Sequence, residues 1–203
     1  MKVVVTGGAG FIGANLCRRL LVTEGVDEVV ALDDLSSGAA DRIEGTAASL
    51  VVADMGDPAV LDDVLPGTTV VVHLGARPSV PRSIEDPRAS HHANATGTLE
   101  VLEGVRRHSV ARVVVASSSS VYGQNPVLPK HEDLTPMPLS PYAVSKLAAE
   151  GYALANARCF GFGALALRFF NVFGPLQPAG HAYAAVIPAF VSAALAGQPV
   201  TVH

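Results

Sequence analysis

The sequence predicts an α/β fold built on a doubly wound parallel sheet. Three observations carry this. Apolar, β-branched runs recur along the chain, apolar throughout rather than alternating, as strands covered on both faces require. Helical segments separate them through short links, which calls for right-handed crossovers. The first run, Val3-Val4-Val5, leads directly into Thr6-Gly7-Gly8-Ala9-Gly10-Phe11-Ile12-Gly13, a glycine-rich turn that opens a helix.

Strand 2–6 feeds helix 11–23 through that turn. Gly7 allows the tight exit from the strand, Gly10 leaves no side chain before a bound pyrophosphate, and Gly13 lets the helix pack closely. The helix N-terminus adds free N–H groups and a positive dipole end, which makes this a Rossmann-type dinucleotide site. Strand 28–33 ends in Asp33, twenty residues after Gly13, where a carboxylate accepts hydrogen bonds from an adenosine ribose. A carboxylate there repels a 2′-phosphate, so NAD is favoured over NADP. Asp34 follows it into the turn Ser36-Ser37-Gly38. Strand 49–54 ends in Asp54, which either reaches the adenine amino group or closes a turn before Gly56 and Pro58. Helix 58–64 and strand 69–74 come next.

Arg77 and Arg82 lie in a proline-broken loop; they either meet a phosphate or are solvated. Helix 88–108 leads to strand 112–118, whose carboxyl end opens a serine run, Ser117 to Ser120. Hydroxyls there sit where open α/β sheets bind ligands. The segment from Gln124 to Pro138 reads as an ordered loop before helix 141–159 and strand 164–169. After Gly174 the pattern changes to Pro175, Pro178, Gly180 and an alanine-rich helix, 182–196, ended by Gly197. There is no internal repeat or low-complexity linker.

Composition narrows the function classes. The 203 residues are 49% hydrophobic with a net charge of −4, enough for one substantial core. No basic stripe or aromatic platform marks a nucleic-acid surface. No apolar run approaches a membrane span, and three valines before a glycine turn are too short for a signal peptide. Cys17 and Cys159 fall on predicted helices and read as small buried hydrophobes in a reducing, cytoplasmic setting. His91 and His92 have no third ligand at metal-binding spacing; they read as a solvated helix face, and no metal site is predicted.

The catalytic reading rests on Tyr142 and Lys146. Ser140-Pro141 is a helix start, so Tyr142 falls in the first turn and Lys146 one turn on, on the same face. A phenol titrates near pH 10 and is a poor base at neutrality. A neighbouring ammonium and a helix N-terminus both favour tyrosinate, so the expectation is a lowered pKa. Such a tyrosine takes a proton from a substrate hydroxyl while hydride leaves the same carbon.

Together these residues resemble the extended short-chain dehydrogenase/reductase family, the NAD-dependent sugar-nucleotide epimerases and dehydratases. The resemblance runs from Lys2 to the last residue. It is carried by the glycine turn, Asp33 to Gly38, His73-Leu74-Gly75-Ala76, Asn94 to Thr98, Ser117 to Gly123, Tyr142 with Lys146, and Arg168 to Pro175. Gly75-Ala76 stands where the family usually has Ala-Ala. The family's dehydratases and decarboxylases carry a glutamate immediately before Val-Tyr-Gly, and the dehydratases add an aspartate before it. Here those positions are Ser120 and Ser119, which favours simple 4-epimerisation. Ser79 to Ser83 and Ala182 to Pro188 are most similar to the UDP-N-acetylglucosamine 4-epimerases, close relatives of the UDP-galactose enzymes.

The resemblance implies catalytic roles for Ser118, Tyr142 and Lys146. It implies that NAD contacts Gly7, Gly10, Phe11, Ile12, Gly13, Asp33, Asp34, Ser36, Gly38, Asp54, Met55, Leu74, Ala76 and Asn94, with Tyr142 and Lys146. A nucleotide sugar would meet Ser79, Ser118, Ser119, Ser120, Tyr142 and Asn171. In the implied reaction Tyr142 removes the C4-hydroxyl proton, C4 hydride passes to NAD, and the 4-keto sugar turns over before hydride returns to its other face. The family's helices matching 88–108 and 141–159 form a four-helix homodimer interface. Family members continue past the point matching His203. The expected organisation is therefore a dinucleotide-binding domain with the catalytic residues, 1–174, and the start of a truncated substrate lobe, 175–203. An NAD-binding module without turnover stays open beside the enzyme reading.

Overall fold

The computed structural model describes residues 1–177 and 186–200. Its six strands are β1 (Lys2–Thr6), β2 (Glu28–Asp33), β3 (Ser49–Val52), β4 (Thr68–His73), β5 (Arg112–Ser118) and β6 (Gly163–Phe169). They form one sheet in the order β3-β2-β1-β4-β5-β6, and every neighbouring pair is parallel. The chain order reverses between β1 and β4, so a crevice opens at the carboxyl ends of those two strands.

Successive strand residues face opposite sides of the sheet, and both sides are covered. Val4, Val71, Val113 and Val115 pack on Leu61 and Leu65, with Leu102 and Val105 from α5 (Gly97–Arg107) and Ala149 from α6 (Pro141–Phe160). Leu61 belongs to α2 (Pro58–Val64). Val3, Val5, Val29 and Ala31 face α1 (Phe11–Leu20) through Ala14 and Cys17. Each fully buried leucine among these contributes about 1.5–3 kcal/mol of hydrophobic stabilisation.

Several boundaries differ from the sequence reading. Helix α1 stops at Leu20, because Val22 and Thr23 bond back three residues and the Thr23 hydroxyl donates to the Arg19 carbonyl at 2.8 Å. Strand β3 ends at Val52, since Asp54 turns onto the Gly56 amide at 2.8 Å. The proline-broken loop contains α3 (Val80–Glu85), with Ser79 as its N-cap and proline in its first turn, where proline is tolerated. The predicted helix 88–108 is α4 (Pro87–His91), a π-helical turn (His92–Thr96) and α5. The final helix, α7, is described over Val186–Leu195; predicted positions 182–185 lie outside the described residues. Cys17 is buried, and burial pushes its thiol up to about 11, but Cys159 is exposed, against the expectation that both are buried. Among the described residues no helix is long and apolar enough to cross a membrane.

Candidate active site

A cleft of about 930 Å³ runs along the carboxyl edge of the sheet. At one end it is lined by the glycine turn. Gly7 has φ +68°, and a Cβ there would sit 2.8 Å from the Gly75 amide nitrogen. A Cβ on Gly13 would lie 2.1 Å from the Gly7 carbonyl oxygen, so the helix packs on the turn itself. Gly10 is the N-cap of α1; no side chain caps that helix and no acid stands in its first turn. The exposed N–H end is therefore open to a phosphate.

Asp33 lies at the next strand end, buried yet on the cleft wall. Its Oδ2 accepts from the Ala9 amide at 3.0 Å and its Oδ1 from the Leu35 amide at 2.8 Å. These bonds aim the carboxylate while leaving further lone pairs for a diol. Asp34 also lines the cleft, and its Oδ1 accepts from the Ser36 amide and hydroxyl. Asp54 makes the turn bond to Gly56 and also lines the cleft, so both sequence readings of it survive.

The other end carries the acid–base groups. Ser140 caps α6, its Oγ accepting from the Ala143 amide at 3.1 Å, which sets Tyr142 in the first turn. The Tyr142 amide donates to Ser83 of α3 at 3.0 Å, so the helix missed in the sequence braces the start of α6. Ser118 ends β5; its hydroxyl accepts from the Ser120 amide at 3.1 Å, and it lines the same cleft as Tyr142, whose phenol pKa its hydroxyl acts to lower. Lys146 is buried one turn along α6, and burial lowers its ammonium to about 8. The expected lowering of Tyr142 is not what this site shows. Burial raises the phenol above its ordinary value and outweighs the Ser118 hydrogen bond.

Behind this end lies a half-buried ion pair. Ser117 continues the row of β5 residues facing α6, and its hydroxyl donates to Glu150 at 2.7 Å. Arg168 of β6 grips the same carboxylate at 2.7 and 3.0 Å and stacks over the Tyr122 ring. Burial alone would raise Glu150, but the Arg168 and Ser117 bonds outweigh it and hold the carboxyl below its usual value. The same pairing raises Arg168. Sequence reasoning missed this pair, because Glu150 on α6 and Arg168 on β6 stand 18 residues apart on different elements.

The cleft brings together the named positions Phe11, Ile12, Ser36, Met55, Leu74, Ala76, Ser119, Ser120 and Asn171 with those above. Three named residues do not line it. Gly38 packs under Asp33, where a Cβ would meet its Oδ1 at 2.6 Å. Asn94 is fully buried in the π-helical turn, bonded to both backbone groups of Arg77 and to the Ser145 hydroxyl. Ser79 caps α3. Arg77 and Arg82 do line the cleft, and Arg77 Nε is buried without a partner.

The model of the NAD dependent epimerase/dehydratase family matches residues 3–203. The chain belongs to this family. It is 39% identical over 208 residues to the UDP-glucose 4-epimerase of Mycolicibacterium smegmatis, covering 98% of this chain and 64% of that protein. Its fold is similar to a UDP-N-acetylglucosamine 4-epimerase from Methanobrevibacter ruminantium, solved with UDP-N-acetylmuramic acid (TM-score 0.93, 36% identity, 100% of this chain and 65% of that one). It is likewise similar to a Thermus thermophilus UDP-glucose 4-epimerase solved with NAD (TM-score 0.88, 36% identity, 100% and 65%). The chain thus spans just under two thirds of these relatives' lengths.

Proposed function

We propose that this chain carries the NAD site and catalytic residues of a UDP-hexose 4-epimerase. The observation that carries the reading is Ser118, Tyr142 and Lys146 on one cleft with an uncapped glycine turn and Asp33 at its other end. The similarity to 4-epimerases supports it.

The residues present fit NAD. The α1 N-terminus and Gly10 would receive the pyrophosphate, Asp33 the adenosine ribose, and Lys146 the nicotinamide ribose. Bound NAD would supply a cationic ring that accepts and returns a hydride. Tyr142 then removes the proton of the sugar C4 hydroxyl, with Ser118 bonded to the same oxygen. A cation beside the buried phenol favours tyrosinate and offsets its raised pKa. Tyr142 returns the proton when the second face of the 4-keto sugar is reduced. Ser119 and Ser120 carry hydroxyls where elimination needs carboxylate, so the sugar leaves as an epimer. Asn171 and Arg77 would meet the nucleotide sugar's phosphates. Residues 1–174 form the dinucleotide-binding unit, 175–203 begin the sugar lobe, and a second copy packs on α4, α5 and α6.

The test is incubation of the chain with NAD and UDP-N-acetylglucosamine or UDP-glucose, with C4 epimers resolved by NMR. Epimer formation is expected. A 4-keto-6-deoxy product, or NAD binding without any epimer, contradicts the proposal.

A further inference from the structure

Thr6 and His73 are register partners on β1 and β4, at the point where the strand order reverses. Their side chains begin a buried chain of hydrogen bonds whose directions can all be assigned. The hydroxyl proton of Thr98 points to the Asn94 carbonyl at 2.5 Å. The Thr98 oxygen must then accept from His73 Nε2, 2.8 Å away. Nε2 therefore carries the ring proton, and Nδ1 is bare. Nδ1 accepts from the Thr6 hydroxyl at 2.7 Å, and the Thr6 oxygen accepts from the Gly75 amide at 3.1 Å. Every proton from Gly75 to Thr98 has one acceptor. A second proton on the ring would deprive the Thr6 hydroxyl of its acceptor.

The two ends of this chain matter. Gly75 lies against Gly7, close enough that a Cβ on Gly7 would touch it. Asn94 sits in the π-helical turn, and its side chain fixes the Arg77 backbone and Ser145, the neighbour of Lys146. We propose that His73 is a positioning residue: held as the Nε2–H tautomer, it registers the glycine turn against the π-helical turn, so that both ends of the cleft are built on one hydrogen-bond chain. The ring is 1% exposed. Burial, with the Lys146 charge nearby, lowers its pKa to about 3, which agrees with a neutral ring. Only the binding consequence rests on the cofactor reading above.

The experiment is two-bond nitrogen–proton correlation NMR of the full chain with labelled histidine. His73 is picked out of the seven histidines by its loss in His73→Gln. The wild-type ring should show the Nε2–H pattern, and Thr98→Ser should keep both that pattern and NAD affinity. Thr98→Val removes the acceptor at nearly constant shape. Its ring pattern should move toward Nδ1–H, and its Kd for NAD should rise about tenfold, as for a buried donor left unpaired. An Nδ1–H or doubly protonated ring in the wild-type chain overturns the assignment whatever the variants do. Unchanged NAD affinity in a folded Thr98→Val overturns the coupling. A wild-type chain that shows the Nε2–H pattern but binds no NAD supports the tautomer assignment and contradicts the proposed function instead.

Discussion

Around the glycine turn, Thr6, His73 and Asp33 are buried and hydrogen-bonded; beyond β6, Phe170 and Phe173 are each 61% exposed and no residue of α7 is buried. The first region holds its shape through contacts within the described residues. The second presents apolar side chains that those residues do not cover. The glycine turn and the Tyr142 end of the cleft therefore have a scaffold of their own, whereas the segment after β6 takes little from it. Substitutions should divide along the same line.

The largest expected effect separates chemistry from cofactor binding. Tyr142→Phe removes the proton-transfer hydroxyl and should lower kcat for epimerisation about 10³-fold, with the NAD Kd nearly unchanged by calorimetry. Near-normal turnover would remove Tyr142 from the mechanism. Next comes the scaffold itself. Leu102 is fully buried between α5 and the sheet, so Leu102→Ala should cost about 3 kcal/mol in denaturant unfolding. A cost as small as that of a surface change would break the contrast.

The Lys146 ammonium gives a smaller, pH-dependent effect. Its pKa is about 8 in the fold against 10.5 unperturbed. Between those values the unfolded chain binds more protons, so stability rises as pH rises. From about pH 8 to about pH 9 the gain from this group is about 1 kcal/mol. Lys146→Met should lack that rise when urea midpoints are compared at the two pH values. The smallest effect is expected in α7, where Leu195 is 85% exposed. Leu195→Ala should change stability by less than about 0.5 kcal/mol, and a larger loss would show contacts that the comparison omits.

Much of this was legible in the sequence because it is local. Runs of valine mark β1, β4 and β5, glycine spacing marks the dinucleotide turn, and Ser140-Pro141 sets Tyr142 in the first turn of α6. What was hidden depends on partners far along the chain. The Thr6–His73–Thr98 bonds and the Ser117–Glu150–Arg168 cluster join separate elements, so no window of sequence contains them. The π-helical turn is a local change in backbone hydrogen bonding, which the residue types His92-Ala93-Asn94-Ala95-Thr96 do not announce. Helix α3 was masked because Pro81 reads as a breaker although it sits in a first turn. The direction of the Tyr142 shift was misjudged because sequence shows the nearby lysine but not the desolvation.

The central claim is that hydride leaves and returns to the same carbon while Tyr142 moves the proton. Its most direct test is to supply a UDP-hexose deuterated at C4 with unlabelled NAD and follow the label by NMR. The account predicts that the epimer keeps deuterium at C4. Epimer formed with loss of C4 deuterium to solvent would contradict it.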